Sequence, residues 1–147
     1  MWCEEDLEIP SPDNSANISP LEGSWECSVD ASVVGNIAGY AVVHKQDHTT
    51  GDYWTAMDVS KVNSVFEGEW CGIKLALQSA LDKEANSVHI KTDSKAAALA
   101  FEMGSIPFGW HIFPLFYQCQ LLCKQFDKVN VLYVPRSENS LADELDR

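Results

Sequence analysis

An α/β domain built on a mixed sheet is predicted by three observations: three successive strand-like segments, a later alternation of strands with helices, and an apolar content high enough for one core. The chain has 147 residues, 46% of them hydrophobic, the size and composition of a single ordinary domain. "WECSVDAS" alternates Trp25, Cys27 and Val29 with Glu26, Ser28 and Asp30, the period-two pattern of a strand. "AGYAVVHKQ" is a second strand candidate, and a turn around Gly51 leads to a third, "YWTAMDVS". Short connections between the three predict an antiparallel meander.

The period then changes. From Glu67 to Glu84, Gly72, Ile73, Ala76, Leu77, Ala80 and Leu81 recur at helical spacing. "SVHIKT" is a fourth strand, and "SKAAALAFEM" a helix ended by Gly104. "IFPLFYQCQLLCKQF" follows as a helix with Pro114 in its first turn, and "KVNVLYVP" as a fifth strand. "NSLADELDR" starts a last helix. The order β-β-β-α-β-α-α-β-α implies a mixed sheet with helices on both faces.

Residues 1–22 form an acidic leader, rich in Pro, Ser and Asn, expected to be flexible; residues 23–147 form the domain. No apolar run approaches the roughly 20 residues that span a bilayer, so no membrane association is expected. Five cysteines without a CxxC pair point to a reducing, intracellular setting rather than a disulfide framework or zinc ribbon. Cys119 and Cys123 read as small core residues.

The net charge is -12, from 22 acids and 10 bases. Such a field opposes a polyanionic ligand. Two features reduce the objection: the first twenty residues carry five acids and no base, and a centre that holds cations needs clustered acids.

Four acids stand in unusual places. Glu69 lies at the middle of the apolar helix stripe, where a carboxylate is costly unless paired or bound to a cation; Glu67 points nearly the opposite way. A place in the first turn, beyond the packed region, would explain Glu69 by the helix dipole instead. Asp93 ends a strand and precedes a helix, which suits either a ligand at a sheet's C-terminal rim or an N-cap that Ser94 could share. Asp30 is on the polar alternation of the first strand, as an edge or turn residue would be. Asp143 completes the capping-box pattern "SLAD". Together, two strands and two helix starts delivering acids to one rim would meet the needs of a paired Mg²⁺ centre.

The segments "WECSVDAS", "GYAVVHKQDHTTG", "EGEWCGIKLALQSAL", "VHIKTDSKAAA" and "VNVLYVPRSENSLADEL" resemble, in order and spacing, the ribonuclease H-like family, particularly its retroelement-related form common in plant proteins. The resemblance implies a five-stranded mixed sheet in order 3-2-1-4-5. It also implies a two-metal endonuclease that cuts the RNA strand of RNA–DNA hybrids. Asp30, Glu69, Asp93 and Asp143 would be both its catalytic residues and the ligands of two Mg²⁺ ions, with Mn²⁺ able to substitute. Asp30 would bridge both ions, Asp143 would hold the one that activates water, and Glu69 and Asp93 the one at the leaving 3′ oxygen. Asn139 is a candidate substrate contact; Arg136, Ser94 and Lys95 are further candidates for phosphate or backbone. The alternative is a catalytically weak or inactive nucleic-acid-binding module of the same fold, favoured by the net charge and by the few cations between Gly104 and Val129. A monomer is the default oligomeric state.

Overall fold

The computed structural model describes residues 23–47, 52–105 and 112–135. Strands β1 (Ser24–Val34), β2 (Ile37–Asp47) and β3 (Asp52–Lys61) are followed by helix α1 (Val65–Asp82), β4 (Ser87–Thr92), α2 (Lys95–Met103), α3 (Phe113–Cys123) and β5 (Lys128–Tyr133). The sheet order is β3-β2-β1-β4-β5, as predicted. The first three strands are antiparallel neighbours, whereas β4 runs parallel to β1 and β5 parallel to β4. The two parallel pairs need crossovers, which α1 and the α2–α3 segment supply.

The strands β1 and β2 are longer than their alternation indicated. Gly35 and Asn36 connect Val34 to Ile37, and Gly35 takes φ +64°. A two-residue hairpin link needs that left-handed conformation, which glycine adopts without strain. The predicted turn at Gly51, the leader and the helix from "NSLADELDR" lie outside the described residues. All three described helices pack on one face of the sheet.

Helix α1 starts at Val65, two residues before the predicted start at Glu67. Ser64 caps it, its Oγ accepting from the Glu67 N–H at 3.1 Å, while Glu67 Oε1 accepts from the Asn63 N–H at 2.8 Å. The reciprocal pair satisfies two backbone donors at the helix entry. At the other end Glu84 takes φ 59°, so the helix stops at Asp82 rather than at Glu84. Gly104, at φ 72°, ends α2 where the sequence placed its stop. Pro114 falls in the first turn of α3, where its missing N–H disrupts no helical bond.

The core lies between the sheet and α1. Trp25, Val29, Val42, Val88 and Ile90 from the strands meet Trp70, Ile73, Ala76 and Leu77 from α1 and Phe116 from α3. The rings of Trp70 and Phe116 meet edge to face at 4.9 Å between centroids. Two glycines one turn apart, Gly68 and Gly72, let α1 settle close to β1 and β2. A Cβ on Gly72 would lie 2.6 Å from Val29 Cγ1, and one on Gly68 3.0 Å from Val33 Cγ2. This close seat fixes how far the functional side chains of α1 reach toward the sheet.

Cys27 and Cys119 are buried, and Cys71 and Cys123 are half-buried; all four are free thiols. Burial pushes Cys119 up to about 12 and Cys123 up to about 11, so both are neutral packing groups at physiological pH.

Candidate metal centre

Asp30 occupies the middle strand of the five, not an edge or a turn. Val29 and Ala31 face α1, and Asp30 between them is itself only 1% exposed. Its place along the strand matters as much. The parallel ladder between β1 and β4 ends with Val29 against Thr92. Asp30 and Asp93 are therefore the first residues beyond the last pair on their two strands.

Glu69 is the fifth residue of α1, in its second turn, flanked by buried Gly68 and Trp70 and itself 6% exposed. The first-turn, dipole-favouring alternative does not hold. Glu67, two residues earlier, performs the capping, and Glu69 is left on the core side.

Asp93 is not the cap of α2. Ser94 takes that place, its Oγ accepting from the Ala97 N–H at 3.1 Å, and Thr92 Oγ1 accepts from the Ser94 N–H at 3.1 Å. The buried threonine and the capping serine on either side fix the backbone that carries Asp93. Of the two readings open at this position, the structure thus gives the cap to the neighbour.

These three acids converge. One carboxylate oxygen from each of Asp30, Glu69 and Asp93 lies within 4.8 Å of the other two. Among the described residues this is the one group of three metal-capable side chains. At an effective dielectric of about 20, each ionised pair at this spacing repels by about 3 kcal/mol. The donor set is all carboxylate oxygen, held on a strand, a helix and a strand end. That chemistry suits a hard divalent cation such as Mg²⁺ or Mn²⁺, and lacks the sulfur and imidazole donors of a zinc site.

Asp143, Asn139 and Arg136 lie outside the described residues. Lys95 is exposed, with its Nζ 5.3 Å from the centroid of the Tyr133 ring. That ring was left unassigned by sequence reasoning. The signal for it was present: Val129, Val131 and Tyr133 form a core-facing alternation whose last place falls beside Thr92.

Known proteins share this architecture. The RNase H1 of the halophilic archaeon Halobacterium salinarum superposes with a TM-score of 0.73 at 19% identity, over 83% of this chain and 93% of that one. The N-terminal RNase H domain of a Mycobacterium tuberculosis protein, solved as a maltose-binding-protein fusion, gives 0.73 at 23% identity, covering 83% and 95%. LC11-RNase H1, solved in complex with an RNA/DNA hybrid, gives 0.70 at 18% identity, covering 82% and 92%. No curated protein matches the chain in sequence. A family model described as reverse transcriptase-like matches residues 28–146. With that match spanning most of its length, and with the sheet of an RNase H, the chain belongs to the reverse transcriptase-like family.

Proposed function

We propose that the domain is a metal-dependent endonuclease that hydrolyses the RNA strand of RNA–DNA hybrids. The observation that carries the reading is the convergence of Asp30, Glu69 and Asp93 within 4.8 Å on the fold of RNase H. Asp143 completes the set in this reading. The four acids would hold two Mg²⁺ ions, which when bound would supply a nucleophile from water and stabilise charge on the leaving oxygen.

The chain's own groups do the positioning. Asp30 and Glu69 present their oxygens from a central strand and a tightly seated helix, so neither needs to reorganise on binding. Thr92 and Ser94 hold the backbone on both sides of Asp93. Ser94 uses its oxygen as an acceptor in the cap and still has a hydroxyl proton to donate to a phosphate. Asn139 contacts the substrate, and Lys95 and Arg136 contact its phosphate or backbone. RNA is distinguished from DNA by its 2′-hydroxyl and groove shape rather than by sequence. Support for the substrate class comes from LC11-RNase H1, a protein of this fold captured on such a hybrid.

The test is incubation of the protein with a labelled RNA–DNA hybrid, with and without Mg²⁺ or Mn²⁺, beside Asp93→Asn. Metal-dependent cutting that disappears in the variant is expected. Tight binding without cutting would favour the non-catalytic module, and neither binding nor cutting would overturn both.

A further inference from the structure

We propose that Tyr133, steered by Lys95, is a binding step for one nucleotide of the strand on which the carboxylate cluster acts; this inference rests on the function proposed above. On β5, Val129, Val131 and Tyr133 share the helix-covered face and pair with Val88, Ile90 and Thr92 of β4. The three β4 partners are fully buried. On β5 the cover fails at the last place: Val131 is buried, but Tyr133 is 43% exposed. An aromatic ring thus stands open at the C-terminal rim of two parallel strands, where sheets of this class bind ligands.

Its position relative to the cluster is fixed by register. Tyr133 pairs with Thr92, the residue before Asp93, across a strand spacing of about 4.8 Å. Lys95, two residues after Asp93, brings its ammonium to 5.3 Å from the ring centroid. Ring, cation and carboxylate are therefore tied to one strand end and one helix start.

The space beside them has a matching shape. A groove of about 350 Å³ is lined by Ala98, Leu99, Leu132 and Tyr133, with Lys95 and Glu102 adding one charge of each sign. The apolar wall suits the face of a sugar or base, and Lys95 suits the phosphate joined to it. In a chain of net charge -12, a cation this close to the acids is well placed to offset the repulsion a polyanion meets on approach.

The experiment is fluorescence anisotropy of a labelled RNA–DNA hybrid with the full chain in Ca²⁺, with Mg²⁺ melting shifts and cutting measured alongside. Tyr133→Ala should weaken hybrid binding about tenfold, the scale of one lost stacking ring, while Tyr133→Phe binds as wild type. Lys95→Gln should also weaken binding and lower the salt slope by about one. All three variants should keep the Mg²⁺ melting shift, since the acids are untouched. If Tyr133→Ala binds like wild type while wild type binds or cuts the hybrid, the nucleotide step is overturned and the hydrolase reading survives. If wild type does neither, both fall. Should Tyr133→Ala melt too low to assay, Tyr133→Leu, which keeps apolar bulk but no stacking ring, decides on the same criterion.

Discussion

Val29 and Gly72 meet so closely that a single methyl on the glycine would lie 2.6 Å from the valine Cγ1. The contact lies one turn along α1 from Glu69 and one residue along β1 from Asp30, so it sets the separation of two of the three converging acids. Gly72→Ala gains up to about 1 kcal/mol of helix propensity but forces a shift in a packed interface, which costs about 1–3 kcal/mol. A net loss of about 1–2 kcal/mol in urea unfolding is expected, with cutting reduced further because Glu69 moves with the helix. Gly68→Ala, whose nearest neighbours stand at 3.0 and 3.1 Å, should cost less.

Glu69→Gln removes one of three mutually repelling charges. Without divalent cation the variant should melt at least about 3 °C above wild type, because losing this charge relieves its repulsion with both Asp30 and Asp93. Mg²⁺ should raise the melting temperature of wild type and leave the variant nearly unmoved. Scanning calorimetry with and without Mg²⁺ checks both; an unchanged metal-free melt together with no Mg²⁺ effect on wild type would contradict the clustering of charge.

The division of labour between Asp93 and Ser94 predicts opposite phenotypes. Ser94→Ala loses the bond to the Ala97 N–H and should cost about 1 kcal/mol of stability. Asp93→Asn should raise metal-free stability, as the loss of any charge from the trio does, and abolish hybrid cutting. Urea melts and a cleavage assay on the same two proteins separate cap from ligand.

Glu84 is a non-glycine residue in left-handed backbone just past the end of α1. Glu84→Gly should stabilise the domain by about 1 kcal/mol, with hybrid cleavage unchanged. Paired urea and activity measurements test this.

Alkaline pH should loosen the fold through its buried thiols. Burial raises Cys119 from 9.0 to about 12 and Cys123 from 9.0 to about 11, so the folded state favours the neutral form. The corresponding stability is complete below pH 9 and falls as pH rises toward those values, because the unfolded chain ionises first. Stability measured by urea between neutral and strongly alkaline pH should decline less steeply in Cys119→Ala, once that variant's own cavity cost at neutral pH is subtracted.

Much of this was legible in the residues, and the failures have physical causes. Helical phase alone separated Glu69 from Glu67, since 100° per residue distinguishes a core-facing acid from an outward one. Phase could not show that Glu67 turns back to cap Asn63, because the reciprocal bond depends on the path of the chain before the helix. Asp30 was placed on a polar face since alternation assumes one buried side; β1 is central and buried on both at that point, so Val29, Asp30 and Ala31 are all covered. The cap at Asp93 could not be assigned from "TDSK", where two adjacent residues are equally good formers and only geometry chooses. Tyr133 is not distinguished within the strand "KVNVLYVP" by sequence, because exposure at a rim depends on where α2 starts, a tertiary fact.

The ladder that ends at Val29 and Thr92 has one more implication. Its two flanking acids, and the third from the intervening helix, stand far apart along the polymer, at positions 30, 69 and 93. An unravelled chain holds no short stretch that gathers all three, so a divalent ion gripping this trio would recognise the native state alone. Titrating such an ion would then count correctly assembled molecules, and a protein sample that folds only its first hairpin would score zero.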